Sequence, residues 1–321
     1  MQPTSAFSEF LERIRPTEGQ RAAATAGHRA LRERLLADSD LRHCIVGIFL
    51  QGSFRRATAI RSRDGRRVDV DVVVVTDIAP RRTSPNDVLG RFKTFLRQYY
   101  RDVWTSQGRS LGIELDGVHL ELVVTSAPCE IEVLRGECAG LPLDEAPQPT
   151  TAETAAWTLS PLLIPSRETS RWEPTHPLAQ IAWTRQRNAS CNGHFVNVVK
   201  AIKWWHRRHR SLPTHPKGYP LERLVDDCCP DGIRSVAEGV AGTFEAIRDK
   251  YAWHARTRQT PVLPNHGVPS QNVLARVPAI DFAAFVNLAE TGAHKARRAI
   301  ETEDERESRQ LWRELFGEDF K

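Results

Sequence analysis

Two short apolar runs, one continuous and one alternating with carboxylates, stand out in the first quarter of the chain. The first run predicts a buried strand over residues 44–51, which ends at Gly52-Ser53. The second run, VDVDVVVV, predicts a strand in which Asp69 and Asp71 share one face, because residues two apart in a strand point the same way. Val68, Val70 and Val72, which alternate with the two carboxylates, are therefore expected to pack on the opposite face.

Two convergent carboxylates beside a small, flexible turn indicate chemistry on a substrate that carries phosphate. Carboxylate oxygens are ligands that Mg²⁺ prefers, and a Gly-Ser turn lets backbone N–H groups approach a triphosphate. The pattern also fits an edge strand whose polar face meets water. With the turn upstream, we favour a Mg²⁺-dependent phosphoryl or nucleotidyl transfer site.

An arginine-rich segment follows the Gly-Ser turn. Most of its side chains are expected to be solvated. For Arg55 or Arg56, contact with a phosphate and simple solvation both stay open.

A third carboxylate is expected from a β-hairpin predicted over residues 111–124, with its turn at Asp116-Gly117. In the returning strand, Glu121 faces away from the leucines on either side of it. If this strand adjoins the strand of Asp69 and Asp71, Glu121 completes a cradle of three carboxylates for two metal ions. Glu114 is the competing candidate, and it is expected to be the cross-strand neighbour of Glu121.

Most of the remaining chain shows helical periodicity, apart from one long connection. Residues 127–175 are rich in Pro, Glu and Thr and predict a connection with only short elements. Helices are predicted over residues 5–15, 17–38, about twenty residues from Pro85 to near Gly108, 179–188, 192–210, 219–228, 232–254 and 281–316. We therefore predict two lobes, a catalytic lobe over residues 1–170 and a helical lobe over residues 171–321.

Composition and charge add a few constraints. The formal net charge is +5, which suits polyanions such as nucleic acid or nucleoside triphosphates, although genomic composition also produces arginine-rich sequences. The six cysteines include no CxxC pair, so neither a zinc site nor a disulfide framework is favoured. No apolar run of about eighteen residues and no signal peptide are present, so we expect a cytoplasmic protein with no membrane partner.

The order of these features resembles the nucleotidyltransferase superfamily related to DNA polymerase β. A strand, a Gly-Ser turn, an Asp-x-Asp strand, a strand with a third carboxylate and a helical half follow one another. The second half narrows the resemblance. Its segments RWEPTHP, VVKAIKWW, GYPLERLV and PNHGVPSQNVLARV resemble the bacterial CD-NTases, the cGAS/DncV-like nucleotidyltransferases of CBASS antiphage systems. The resemblance covers nearly the whole chain.

The resemblance implies a fold and an activity. The fold is α+β and two-lobed, with a mixed β-sheet lobe and a C-terminal helical lobe. Members of the family bind nucleoside triphosphates with two Mg²⁺ ions, or Mn²⁺. They join nucleotides by attack of a 3′ or 2′ ribose hydroxyl on the triphosphate of the next nucleotide. They release pyrophosphate and close the product into a cyclic di- or trinucleotide. A separate effector protein that binds this product is the expected partner, and no DNA requirement is expected.

The resemblance also assigns roles to residues of this chain. Asp69, Asp71 and Glu121 would hold the metal ions. The residues assigned to the nucleotide, together with Arg55 from the basic segment, are Gly52, Ser53, Lys200, Lys203, Tyr219 and His176.

These assigned residues would meet different parts of the nucleotide. Lys203 lies where the family places a lysine against the triphosphate, with Lys200 nearby. Tyr219 falls where an aromatic ring stacks on a nucleobase, and His176 falls where some members read the base edge.

Three positions depart from the family pattern. Glu121 replaces the usual aspartate, Ala57 replaces a glycine often found before Thr58, and Gly218 stands where cGAS has a serine. Two alternatives stay open. One is an RNA-tailing or tRNA-modifying nucleotidyltransferase of the same superfamily, and the other is a degenerate member that binds nucleotides without catalysis.

Overall fold

The computed structural model of the protein describes residues 4–62, 67–127, 130–140, 160–209 and 213–321. The chain divides into two compact units. The sheet unit comprises Pro16–Trp183 and His266–Val268, and the helical unit comprises Met1–Arg15, Thr184–Asn265 and Pro269–Lys321. In chain order the helices and strands are α1 (Thr4–Ile14), α2 (Glu18–Ala37), β1 (Ile45–Gln51), α3 (Gly52–Arg55), β2 (Val68–Thr76), α4 (Pro85–Tyr99), β3 (Trp104–Ser106), β4 (Leu111–Leu115), β5 (Val118–Ser126), α5 (Ile131–Gly140), β6 (Leu162–Ser166), β7 (Arg171–Thr175), α6 (Pro177–Ser190), α7 (Phe195–Arg208), α8 (Tyr219–Cys228), α9 (Val236–Thr257), α10 (Ala279–Glu301) and α11 (Glu305–Phe316).

The sheet unit is built on a mixed sheet with the strand order β1-β2-β5-β4-β3. Strands β2 and β5 run parallel, whereas β1 pairs with β2, and β4 with β5, in the antiparallel sense. Strand β6 joins the end of β5 and carries β7 beside it. The α+β fold with a mixed sheet and a helical second half is thereby confirmed.

The two faces of β2 have different surroundings. On one face Val70 and Val72 are fully buried in a core that includes residues of α2 and α4, such as Leu31 and Phe92. The opposite face begins with Asp69 and Asp71 and continues with apolar residues packed in a second core. The carboxylates therefore lie at the start of a strand whose remaining length is anchored in apolar packing on both sides.

One predicted element of the sheet unit differs from the structure. Helix α4 ends at Tyr99 instead of continuing to near Gly108, and the chain after it forms strand β3. Trp104 pairs with Ile113, so pairing with the hairpin overrides local helical tendency there. The predicted connection over residues 127–175 contains α5, β6 and β7, while its residues 141–159 lie outside the described part of the chain.

Aromatic packing defines much of the helical unit. The ring of Phe7 meets Trp312 at 4.9 Å between centroids, and Phe10 stacks on Phe316 at 4.6 Å. These contacts explain why α1 belongs to the helical unit, although the sequence expectation had grouped it with the catalytic lobe.

The predicted single helix over residues 281–316 is wrong, because the structure divides it into α10 and α11. Asp304 caps α11, and its carboxylate accepts a hydrogen bond from the N–H of Arg306 at 2.8 Å. A cap of this kind starts a new helix and satisfies donors that the first turn leaves exposed. Among the helices described, none has the length and apolar character to cross a bilayer.

Candidate active site

The register between the parallel strands β2 and β5 brings the candidate carboxylates together. Asp71 lies opposite Glu121, and Asp69 lies opposite His119. Directly paired residues project to the same face of a sheet, so the three carboxylates share one face. The sequence alone could not supply this register, because it depends on two strands separated by more than forty residues.

The competing carboxylate, Glu114, occupies a different position. Its cross-strand partner is His119 and not Glu121 as expected, and the residue opposite Glu121 on β4 is Gly112. Glu114 forms an ion pair with Arg67, and its Oε1 lies 2.8 Å from Nδ1 of His119. The carboxylate of Glu114 therefore already has partners at the edge of the row formed by Asp69, Asp71 and Glu121, called the carboxylate row below. Glu121 is the glutamate that adjoins Asp71.

The electrostatics of the carboxylate row favour uptake of positive charge. Burial and then the charge of Glu121 raise the pKa of Asp71 to about 7, while Arg56 acts in the opposite direction. Burial also raises the pKa of Glu121, although hydrogen bonds with Asp71 and Gln107 oppose that rise. The two carboxyl groups hydrogen-bond to each other and are costly to ionise together.

The donor set fits a divalent cation. Three carboxylates on one face, two of them close enough to share a proton, supply the oxygen ligands that Mg²⁺ and Mn²⁺ take. Within the described ranges, no group of three or more acidic, histidine or cysteine side chains is placed closely enough to hold a metal ion as the chain stands. A cation at Asp71 and Glu121 would replace their shared proton and lower the pKa of both groups.

The turn after β1 closes directly over Asp71. Gln51 pairs with Asp71 in the sheet, and Gly52 follows with a φ of +75°. A Cβ atom on Gly52 would lie 1.7 Å from Oδ2 of Asp71, which is far inside any allowed contact. Glycine is required at this position for two reasons, its backbone conformation and its lack of a side chain.

The segment that follows the turn contains one departure from the family pattern. Ala57, which replaces a glycine, has a φ of +58°, and the N–H of Thr58 donates to the carbonyl of Ser53 at 2.9 Å. The backbone thus keeps a left-handed conformation that glycine adopts without strain and alanine does not. Arg55 and Arg56 are both buried, so of the two alternatives left open for these side chains, simple solvation is excluded.

Gln107 and Gly112 are site residues that the sequence reasoning missed. A Cβ atom on Gly112, opposite Glu121, would lie 2.9 Å from Cε1 of His119 and 3.2 Å from Nε2 of Gln107. The missing side chain makes room for the Gln107 amide, which hydrogen-bonds to Glu121. A glycine inside a strand often marks such a close approach, and that signal was present in the hairpin.

In the helical unit, α7 and α8 carry the remaining predicted nucleotide residues. Lys200 is buried, and Nζ of Lys203 lies 2.5 Å from Oε1 of Glu222. Tyr219 is the first residue of α8, as predicted. Gly218 precedes it with a φ of +60°, a conformation that glycine adopts readily. Sequence reasoning did not single out Glu222.

His176 lies in the sheet unit, directly before α6. Its Nδ1 accepts a hydrogen bond from the N–H of Ala179 at 3.2 Å, so the side chain caps that helix. Gly267 packs closely against it, because a Cβ atom on Gly267 would lie 2.3 Å from Cβ of His176. Both contacts give His176 a structural role, and its predicted role in reading a base stays a prediction.

Comparisons with known proteins agree with this fold. The family model for the Second Messenger Oligonucleotide or Dinucleotide Synthetase domain matches residues 1–127. A structure of the CD-NTase CdnG of Bradyrhizobium diazoefficiens in complex with GTP superposes with a TM-score of 0.73. It has 16% sequence identity and covers 98% of this chain and 95% of that one. The chain thus shares the fold of this CD-NTase.

Three curated relatives extend the comparison over the full chain. A "Probable cyclic AMP-AMP-GMP nucleotide synthase" of Salmonella paratyphi B is 38% identical, over 100% of this chain and 92% of the relative. The "Cyclic AMP-AMP-GMP synthase" of Enterobacter hormaechei subsp. hoffmannii is 39% identical, over 98% and 91%. The "Cyclic AMP-AMP-AMP synthase" of an Acinetobacter species is 28% identical, over 98% and 84%. The chain belongs to the bacterial CD-NTase family.

Proposed function

We propose that this protein makes a cyclic trinucleotide of two adenylates and one guanylate from ATP and GTP, as a second messenger in CBASS antiphage defence. The carboxylate row, in which Asp71 lies opposite Glu121, is the structural observation that carries the chemistry. The choice of bases is supported by the two relatives at 38% and 39% identity, whose names specify AMP-AMP-GMP. The more distant relative carries three adenylates in its name, so the third base is the variable one.

The carboxylates would hold two Mg²⁺ ions at the reacting phosphate. Bound Mg²⁺ would favour the ionised form of the attacking ribose hydroxyl and offset charge on the leaving pyrophosphate. Asp71 and Glu121 must both be ionised for this role, and Gln107 holds Glu121 by its amide. Asp69, on the same face of β2, supplies the third carboxylate.

Each unit holds residues that would bind the nucleotide itself. Gly52 and Ser53 bring the backbone of the turn close to Asp71, next to where a triphosphate would join the metal ions. The ammonium group of Lys203 would donate hydrogen bonds to phosphate oxygens. The ring of Tyr219 would stack on a nucleobase.

The proposed setting follows from the family. The cyclic product would act in the cytoplasm on a separate effector protein, and DNA would not be required. Arg55, which is buried beside the turn, is proposed to support the triphosphate site.

Mass spectrometry of the reaction products tests the proposal. The purified protein is incubated with Mg²⁺ or Mn²⁺ and either all four nucleoside triphosphates or ATP alone, and the products are treated with phosphatase. We expect a phosphatase-resistant cyclic trinucleotide with two adenines and one guanine only when ATP and GTP are both present. The Asp69→Asn/Asp71→Asn protein, as the control, should make none.

Each alternative would give a distinct result in the same assay. A cyclic product from ATP alone at an equal rate would contradict the assigned guanylate. Linear extension of added RNA, without a cyclic product, would indicate a tailing enzyme. Tight binding of nucleoside triphosphates without pyrophosphate release would indicate a degenerate member.

A further inference from the structure

We propose that Glu222 is a positioning residue for nucleotide binding, which holds the ammonium group of Lys203 where it meets the triphosphate. The inference rests on the proposed function in one respect, because it takes Lys203 as a triphosphate contact. Glu222 itself would not touch the substrate.

The contact between Lys203 and Glu222 is short and well buried. Nζ of Lys203 lies 2.5 Å from Oε1 of Glu222, and the two side chains are 10% and 6% exposed. Removing two charges from water is costly, and an apolar pair of similar volume commonly stabilises a fold as well or better. Fold stability alone therefore gives little reason for an ion pair at this position.

A second Lys–Glu pair in the helical unit offers a direct contrast. Nζ of Lys295 on α10 lies 2.8 Å from Oε2 of Glu314 on α11, but these side chains are 38% and 40% exposed. Exposed pairs of this kind contribute little to stability and are common on protein surfaces. The buried pair and the exposed pair share their chemistry and differ in burial, so the second serves as a matched control.

The position of Glu222 on α8 relates it to the proposed nucleotide contacts. Glu222 follows Tyr219 by three residues, so both lie on one side of α8. Lys203 follows Lys200 by three residues on α7, in the same way. A carboxylate among residues that would bind a polyanion repels that ligand. Its presence there is understandable if it positions one of the lysine ammonium groups.

The chemistry of the ammonium group allows Lys203 to serve both partners. A lysine ammonium carries three N–H donors, so a bond to Glu222 can coexist with bonds to phosphate oxygens. Lysine side chains have many rotamers, and ordering one at the moment of binding costs free energy. A lysine that Glu222 holds is already ordered in the folded protein, so ligand binding loses less free energy to ordering it.

A double-mutant cycle on the full chain tests the inference. The measured quantities are the Kd of a non-hydrolysable ATP analogue with Mg²⁺, the KM and kcat of pyrophosphate release, and the Tm. We expect Glu222→Ala to raise Kd and KM about tenfold, the equivalent of one charge-assisted hydrogen bond. Glu222→Gln, which keeps an acceptor of the same shape, should recover part of that loss. Glu314→Ala should leave Kd, KM and kcat unchanged.

Repeating the Glu222→Ala change in a Lys203→Gln protein separates a positioning role of Glu222 from a general structural effect. In a Lys203→Gln protein, Glu222→Ala should change Kd less than about twofold, because the residue through which Glu222 acts is absent. An equal loss in both backgrounds, or a tighter Kd for Glu222→Gln than for the wild type, would overturn the proposal. If Glu222→Ala does not fold, Glu222→Gln completes the cycle.

The binding measurement also distinguishes failure of the inference from failure of the proposed function. A wild-type protein that binds ATP through Lys203 but makes no cyclic product would refute the proposed function and leave the role of Glu222 intact. A Lys203→Gln protein that binds the analogue as tightly as the wild type would overturn the role of Glu222, whatever the product is.

Discussion

Asp71 and Glu121 occupy paired positions on the parallel strands β2 and β5, and their carboxyl groups hydrogen-bond to each other. The pairing brings two carboxyl groups so close together that ionising both costs much more free energy than ionising one. A bound cation reverses that situation, because it favours the charged form of both. The arrangement therefore links metal binding, pH and stability in a way that can be measured.

The first prediction concerns the stability of the protein in EDTA. The pKa of Asp71 is raised in the folded state, so this group destabilises the fold as pH rises from about 4 towards 7. Asp71→Asn should remove that loss and raise the free energy of unfolding at pH 8 by up to about 4 kcal/mol, with little difference near pH 4. Thermal unfolding at both pH values checks this.

A matched control and a metal titration sharpen that first test. Glu132→Gln changes a carboxylate that is 83% exposed in the same unit, and it should not alter the pH dependence. Excess Mg²⁺ should raise the Tm of the wild type more than that of Asp71→Asn. A variant that is less stable than the wild type at pH 8 in EDTA would contradict the assigned repulsion.

A second prediction addresses the close contact between the turn and Asp71. Gly52→Ala would place a Cβ atom 1.7 Å from Oδ2 of Asp71, so the turn or the carboxylate must move. We expect a stability loss of about 2 kcal/mol and a loss of turnover of about a hundredfold, measured by urea unfolding and pyrophosphate release. Gly90→Ala, in a helix with open space around it, should instead stabilise slightly. Wild-type turnover by Gly52→Ala would contradict the geometry.

A third prediction concerns Ala57, whose φ is +58°. Ala57→Gly should stabilise the protein by about 1 kcal/mol, because glycine adopts this conformation without steric cost. Ala59→Gly, two residues later, has no such strain to relieve and should destabilise by a similar amount. Chemical denaturation of the two variants gives the comparison, and the same sign for both would refute the account of the departure from the family pattern.

The fourth prediction tests the support of Glu121 by Gln107. Gln107→Ala removes the amide that hydrogen-bonds to Glu121, so the affinity for Mn²⁺ in the presence of an ATP analogue should fall about tenfold. Mn²⁺ binding, followed by electron paramagnetic resonance, measures this without turnover. Gln310→Ala changes a glutamine on the exposed side of α11 and should leave Mn²⁺ affinity unchanged. Unchanged affinity in Gln107→Ala would show that Glu121 needs no such support.

Local patterns in the sequence predicted several elements well. The Asp-x-Asp strand, the hairpin at Asp116-Gly117 and helix Tyr219–Cys228 all have the predicted character, since their signals span only a few neighbouring residues. The break at Asp304 was also readable as a capping signal, but the charged stretch around it was interpreted as one continuous helix.

The partnerships across the chain were not available from the sequence. Strand β3 forms because Trp104 pairs with Ile113. Helix α1 belongs to the helical unit because the rings of Phe7 and Phe10 contact aromatic rings near the C-terminus. Local propensity carries no information about such contacts, which form only when distant segments bury their surfaces together.

The sequence by itself determined that Asp69 and Asp71 share a face beside a glycine turn, because the alternation of a strand is a local property. The tertiary structure alone decided that Glu121 and not Glu114 adjoins Asp71, that Gln107 supports Glu121, and that Glu222 holds Lys203. Strand register and the packing of α7 against α8 decide these pairs, since both depend on the whole core closing at once.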